Sequence, residues 1–353
     1  MSLTPTAERR HAALALRWLL DGKVGDPGLA LDWGLLQSLA QSNAVLVQLD
    51  DLFARAEMRR PGTFVAAADA ARARAAATID VFAKVRDVCV HHGTGFVFPS
   101  VADHFPDTGN DLDLLVLERS AAIDALLLAA TPGVPVAAVL WDRLTGATAY
   151  ELTGSDLVLD VHHGRLGIIG EHTQYPDRVV RRRRMLALGG EQVPVPAAED
   201  RLILQGMNRV YGRKKFRLGD VVATVRLVRE PGLDWTDVVA TASALGTLSG
   251  LSCYLAYVER LYREIYGANL LPEATRGGLT LEGWGEPVFE SRGYRFPSLR
   301  VGRRLFWSEF GSVLGARDWP AVSRLCLLPP LVAAGGLRKL ARRWFPAPRP
   351  QAA

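Results

Sequence analysis

Cysteine is scarce in this 353-residue chain, with three in all. Cys89, Cys253 and Cys326 stand far apart in apolar neighbourhoods and no Cys-x-x-Cys spacing occurs, so neither a cysteine-based zinc site nor a disulfide framework is expected. A Gly-x-x-x-x-Gly-Lys-Ser/Thr loop is missing, which argues against a P-loop enzyme. His-Glu-x-x-His and Gly-x-Ser-x-Gly are also missing, which removes the commonest zinc-protease and hydrolase readings. No apolar run reaches the length of a membrane span, and Met1 to Arg10 carries no signal-peptide hydrophobic segment. The expectation is a cytoplasmic protein.

What is present is an ordinary globular composition, 49% hydrophobic and 22% charged, long enough to bury a sizeable core in two domains or one elaborated one. The formal net charge of +5 suits anionic partners such as nucleotides. The basic residues are spread along the chain with no nucleic-acid motif among them, so sequence-specific DNA or RNA recognition is not expected.

The stretch around which the chain is organised is Gly109-Asn110-Asp111-Leu112-Asp113-Leu114-Leu115-Val116. In a strand Asp111 and Asp113 share one face while Leu112 and Leu114 take the other. Two like charges on one face are costly to bury unless a cation neutralises them, and magnesium is the hard ion that takes carboxylate oxygens together with phosphates. A third carboxylate, Asp160, sits among strand formers in Asp156-Leu157-Val158-Leu159-Asp160-Val161-His162. Two such strands can build a two-metal site for in-line attack on a phosphoryl group. The blander reading of an Asp-x-Asp pair is a solvated strand end or turn, to which Gly109-Asn110 also points. His162 and His163 can serve as metal or phosphate contacts, although hydrogen-bonded structural histidines are the more frequent case.

In chain order, residues 1–92 read as a helical region, with helices over 7–21, 31–58 and from about Phe64 to His92, the last closed by Gly93. Residues 93–196 read as the chemistry-bearing core. Its elements are a strand over Gly95–Phe98, a strand over Asp111–Leu117, a helix over Ser120–Ala130, and strands over Val134–Trp141, Thr148–Leu152 and Asp156–His162. The fold class is α+β, a small mixed sheet with helical regions before and after it. Residues 197–267 read as helical, opening at Pro196-Ala197-Ala198-Glu199-Asp200 with acidic residues where the helix dipole favours them. Residues 268–353 read as an irregular cap and a basic tail. In the tail, Leu337 to Phe345 is basic and amphipathic; its ordinary reading is a tail packed on the protein or left disordered before Pro346-Ala347-Pro348-Arg349-Pro350, and contact with an anionic membrane surface is the alternative. The run Arg181-Arg182-Arg183-Arg184 is a solvated face in its ordinary use and a phosphate or acidic-partner contact in the alternative.

The order "Asp-h-Asp-h-h-Val" followed some 50 residues later by "h-Asp-h-His" resembles the nucleotidyltransferases of the DNA polymerase beta superfamily, and within it a bacterial group labelled uncharacterised nucleotidyltransferases. Ala198 to Leu204 resembles that group's post-core helix start, Phe216-Arg217-Leu218-Gly219-Asp220 its "Arg-Leu-x-Asp" segment and Leu233-Asp234-Trp235 its "Leu-Asp-Trp" turn. The likeness implies a metal-dependent nucleotidyltransferase moving a nucleoside monophosphate from an NTP to a hydroxyl-bearing small molecule, peptide or protein, in a biosynthetic setting. Asp111, Asp113 and Asp160 would be the catalytic carboxylates and hold Mg2+ or Mn2+, while Ser100, Arg213, Lys214, Lys215 and Arg217 would position the phosphates. The superfamily's Gly-Ser reads Pro99-Ser100 here, and proline has no amide to offer. That departure keeps a second reading open, a catalytically silent nucleotidyltransferase-like binding protein.

Overall fold

The computed structural model describes residues 7–26, 30–118, 121–138, 140–290 and 292–333. Three helices open the chain, α1 (Ala7–Asp21), α2 (Trp33–Ser42) and α3 (Leu46–Arg55). The single helix expected over 31–58 is broken after Ser42, where Ala44 takes a left-handed φ of 55°. The break frees Asn43 for other partners. Its amide nitrogen donates to the Leu39 carbonyl at 2.9 Å, its side-chain oxygen accepts the Leu218 amide at 3.2 Å and its carbonyl accepts the Gly219 amide at 3.0 Å.

Helix α4 (Gly62–His91) is long because it serves two cores. Phe64 and Ala68 pack with the opening helices, whereas Phe82, Val85 and Cys89 pack on a sheet. That sheet follows as β1 (Phe96–Val97), a short α5 (Val101–His104), β2 (Asp111–Val116), α6 (Ala121–Ala130), β3 (Gly133–Pro135), α7 (Leu140–Thr145), β4 (Ala147–Leu152) and β5 (Val158–His163). The strand order is β1-β2-β5-β4-β3, with β2 and β5 parallel and the remaining pairs antiparallel. The fold is therefore α+β with a small mixed sheet. The strand expected over Val134–Trp141 is only three residues long and gives way to α7. It is one of the two edge strands, with Val134 63% exposed, and a longer apolar edge there would leave a row of unpaired backbone groups facing water.

Alternation puts Leu112, Leu114, Val116, Leu159 and Val161 on the sheet face covered by α4 and α6. Val97 and Leu115 face the other way, toward helices that come later. These are α8 (Tyr175–Arg181) and, after the hairpin β6 (Arg184–Leu188) and β7 (Glu191–Val195), α9 (Ala198–Gly206), which runs on as a π-helical turn, Met207–Arg213. Next come β8 (Lys215–Phe216), α10 (Leu218–Val228), α11 (Trp235–Ala244) and α12 (Leu248–Tyr266). Asp234 of the Leu-Asp-Trp segment is the N-cap of α11, accepting the Asp237 amide at 3.1 Å.

The irregular cap expected after Gly267 is only partly irregular. A short α13 (Glu273–Arg276) precedes β9 (Val288–Glu290) and β10 (Gly293–Arg295), of which β10 pairs with β8 on one side and β9 on the other, and then α14 (Ser298–Gly315) and α15 (Trp319–Leu325) form a helical end. Val301, Leu305 and Val313 along α14 are buried, so an apolar stripe supplies the reason for the helix. The basic amphipathic segment 337–345 lies outside the described residues. Among those described, no helix is long and apolar enough to cross a membrane.

One core unites the opening helices with the far end of the chain. Trp18, Leu49 and Phe53 belong to the same cluster as Val221, Tyr254, Phe296 and Leu305. At its centre Phe216 stacks on Tyr294, with ring centroids 5.0 Å apart.

Candidate functional site

A cleft of about 830 Å³ opens over the ends of β2 and β5, between the loop 99–110 and the π-helical turn. Its floor follows from strand register. Asp113 on β2 pairs directly with Asp160 on the parallel β5, so two carboxylates far apart in sequence stand side by side. His162 is two residues beyond Asp160 and on the same face. Asp113, Asp160 and His162 are half-buried, and each can aim one donor atom into a group no more than 4.8 Å across.

Asp113 is held from two sides: the Ser100 hydroxyl donates to Oδ2 at 2.7 Å, and His162 Nε2 stands 3.8 Å from Oδ1. Burial works to raise its carboxyl, but His162, Ser100 and Arg213 outweigh burial and keep it below the usual carboxylate range. The reverse pull acts on His162, where burial is outweighed by Asp113 and Asp160 and the imidazole is raised above its ordinary value. Ser100 is thus a hydrogen-bond partner of the Asp113 carboxylate in this structure.

Asp111 stands apart from the group. It shares the face of Asp113 but lies at the strand's start, its side chain 60% exposed and its carboxylate 3.9 Å from Arg213. Of the three carboxylates singled out from sequence, Asp113 and Asp160 come together, and Asp111 is at the cleft mouth.

The basic segment divides in the same way. Arg213, Lys215 and Arg217 line the cleft, whereas Lys214, in a left-handed conformation with φ of 53°, does not. Lys215 and Arg217 are both lowered from their ordinary values, each first by burial and then by neighbouring arginines, although Asp220 pulls Arg217 the other way. A group of cations that depress one another favours an anion among them. Arg292, Arg209 and Asn208 join the lining from positions that carry no local motif. Arg292 arrives through the pairing of β10 with β8, a contact between distant segments.

Behind this wall lies a buried polar network centred on Asp220, the last residue of the Arg-Leu-x-Asp segment. Asp220 accepts the Arg217 amide at 2.6 Å as a helix-capping contact, with Arg209 Nε 2.8 Å and His104 Nε2 2.6 Å away. Burial works to raise its carboxyl, and Arg209, His104 and the amide pull it far below the usual range. The loop on the opposite side is fastened by Asp107, which accepts the Val47 and Gln48 amides at 2.7 and 3.1 Å and so caps α3.

The four-arginine run belongs elsewhere. Arg182 pairs with Glu199 at 3.2 Å and with Asp237, Arg184 with Glu230 at 3.0 Å and Arg181 with Asp177, and none of the four lines the cleft. Glu199 and Asp200, read from sequence as dipole-favoured residues at a helix start, are the buried acceptors of that ion-pair cluster, Asp200 lying 3.2 Å from Arg178. His163 is likewise structural, its Nδ1 3.2 Å from the Glu118 carbonyl and its Nε2 3.2 Å from Asp124. Comparison of the chain with protein-family models, with curated proteins and with solved structures returns no match in any of the three.

Proposed function

We propose that the protein is a metal-dependent nucleotidyltransferase, transferring a nucleoside monophosphate from an NTP to a hydroxyl-bearing acceptor with release of pyrophosphate. The observation that carries the reading is the in-register pair Asp113 and Asp160 on adjacent parallel strands, at the floor of a cleft with an arginine- and lysine-bearing wall. A divalent cation fits this donor set, because two carboxylates at neighbouring strand positions repel unless a cation lies between them. When bound, Mg2+ or Mn2+ supplies Lewis acidity to the phosphoryl oxygens. The chain's own residues do the rest. Ser100 fixes the Asp113 carboxylate through its hydroxyl, Arg213, Lys215 and Arg217 bind the phosphate oxygens, and Asp160 accepts the proton of the attacking hydroxyl.

The silent-binding alternative draws on two observations, the absence of an amide at Pro99 and the position of Asp111 outside the donor group. Thermal-shift titration with each of the four NTPs, with and without Mg2+, separates the two readings when paired with a pyrophosphate-release assay. A metal-dependent shift in wild type that is lost in Asp113→Asn, together with pyrophosphate release, supports the enzyme. A nucleotide shift that ignores both metal and Asp113 would support the binding protein.

A further inference from the structure

A second cluster of ligating side chains lies outside the cleft, buried where α14 meets the loop after β5. Glu171 and His172 come from that loop and Glu309 from α14, and all three are at most 5% exposed. His172 Nε2 is 3.7 Å from a Glu171 oxygen and 3.5 Å from a Glu309 oxygen, and it is a buried nitrogen with no hydrogen-bond partner. Those separations are too long for hydrogen bonds. They are close to the edge of a tetrahedron around zinc, where ligands at about 2.0–2.1 Å are separated by roughly 3.3–3.4 Å. All three donor atoms lie within 4.8 Å of one another.

Charge points the same way. Among the described residues neither Glu171 nor Glu309 has a lysine or arginine within salt-bridge distance. Two buried carboxylates that share one imidazole leave an excess of negative charge, which is disfavoured unless a further cation offsets it. The loop is shaped to present one of them. Glu171 folds back so that its two oxygens accept the Ile168 and Ile169 amides at 3.0 and 2.9 Å. Gly167, at φ of 106°, leaves the space for this, because a Cβ there would lie 2.3 Å from the carboxylate.

We infer that Glu171, His172 and Glu309 bind a structural divalent transition-metal ion of the zinc class, which fastens α14 to the loop carrying Leu166 and Gly167 at the edge of the cleft. One imidazole and two carboxylates make a borderline donor set that suits zinc better than the all-oxygen shells of magnesium or calcium. The site is independent of the nucleotidyltransferase reading.

The test is metal analysis of the full chain purified without chelator. The double variant Asp113→Asn/Asp160→Asn is expected to retain about one equivalent of zinc after dialysis, and Glu309→Gln to lose it. Stripping the metal with a strong chelator should lower the melting temperature, and adding zinc back should restore it. Should Glu309→Gln fail to fold, cobalt substitution of the stripped Asp113→Asn/Asp160→Asn protein takes its place, the visible absorption of low-symmetry Co2+ being expected at one equivalent. Absence of zinc from the wild type with no stabilisation on zinc addition would overturn the inference, as would zinc that disappears with Asp113 and Asp160 or a Co2+ spectrum of the hydrated ion.

Discussion

Replacing Asp220 with asparagine tests whether the cleft wall is held from behind by charge. The carboxylate is 1% exposed and serves the Arg217 amide, Arg209 and His104 at 2.6–2.8 Å. Asp220→Asn keeps the shape, removes the charge and turns an amide NH2 toward a surround of donors. Arg209, itself 5% exposed, is then a buried guanidinium without its counterion, a loss of about 3–5 kcal/mol. Urea unfolding followed by tryptophan fluorescence should show a lower midpoint at an unchanged slope. Adding Arg209→Met removes the stranded charge, so the double variant should be more stable than Asp220→Asn alone. The pH dependence has a definite sign. A carboxyl depressed in the folded state contributes stability above its unfolded value and loses it as pH falls, so the gap between wild type and Asp220→Asn should narrow below about pH 4. A destabilisation under about 1 kcal/mol at neutral pH, or a double variant less stable than the single, would refute the argument.

Under the proposed nucleotidyl transfer, other outcomes are expected at the floor and walls of the cleft. Asp113→Asn should lower pyrophosphate release by roughly a hundredfold or more, in keeping with loss of a transition-state contact, while Asp111→Asn, at the mouth, should cost much less; equal losses would put Asp111 back among the ligands. Arg213→Ala and Arg217→Ala should each weaken NTP binding roughly tenfold or more, the worth of a charge-assisted contact, and Lys214→Ala should leave the dissociation constant unchanged by titration calorimetry. Gly219→Ala would place a Cβ 2.7 Å from the Ala44 carbonyl, so a marked fall in melting temperature is expected and a neutral result would show that α3 can move aside.

Much of this fold can be read from residue order, and the failures share a cause. The strands bearing Asp113 and Asp160 announce themselves through apolar residues on both sides of each carboxylate, and Leu248–Tyr266 through a sustained helical stripe. That the strands are parallel neighbours, with the two aspartates in register, is a property of the pairing and not of either segment. Arg209, Arg292 and the Glu171–His172–Glu309 group were invisible for the same reason, each brought into place by contacts between segments far apart in the chain. The break at Ala44 was hidden differently, since its leucines keep helical spacing across the gap while the decisive partner, the start of α10, is remote. On α14, Gly302, Arg303, Arg304 and Gly311 interrupt an apolar stripe that only the packed structure makes plain.

The core shared by the chain's two ends has a consequence during synthesis. Trp18, Leu49 and Phe53 leave the ribosome early, but Tyr254, Phe296 and Leu305, which complete their cluster, are still untranslated. At about 5–20 residues per second the wait is roughly 15 to 60 seconds, and throughout it the opening helices have Phe64 and Ala68 of α4 to pack against but none of their later partners. The N-terminal helices therefore have only their contacts with α4 to rest on until the last third of the chain arrives. A ribosome stalled before α12 should present them as a protease-sensitive segment.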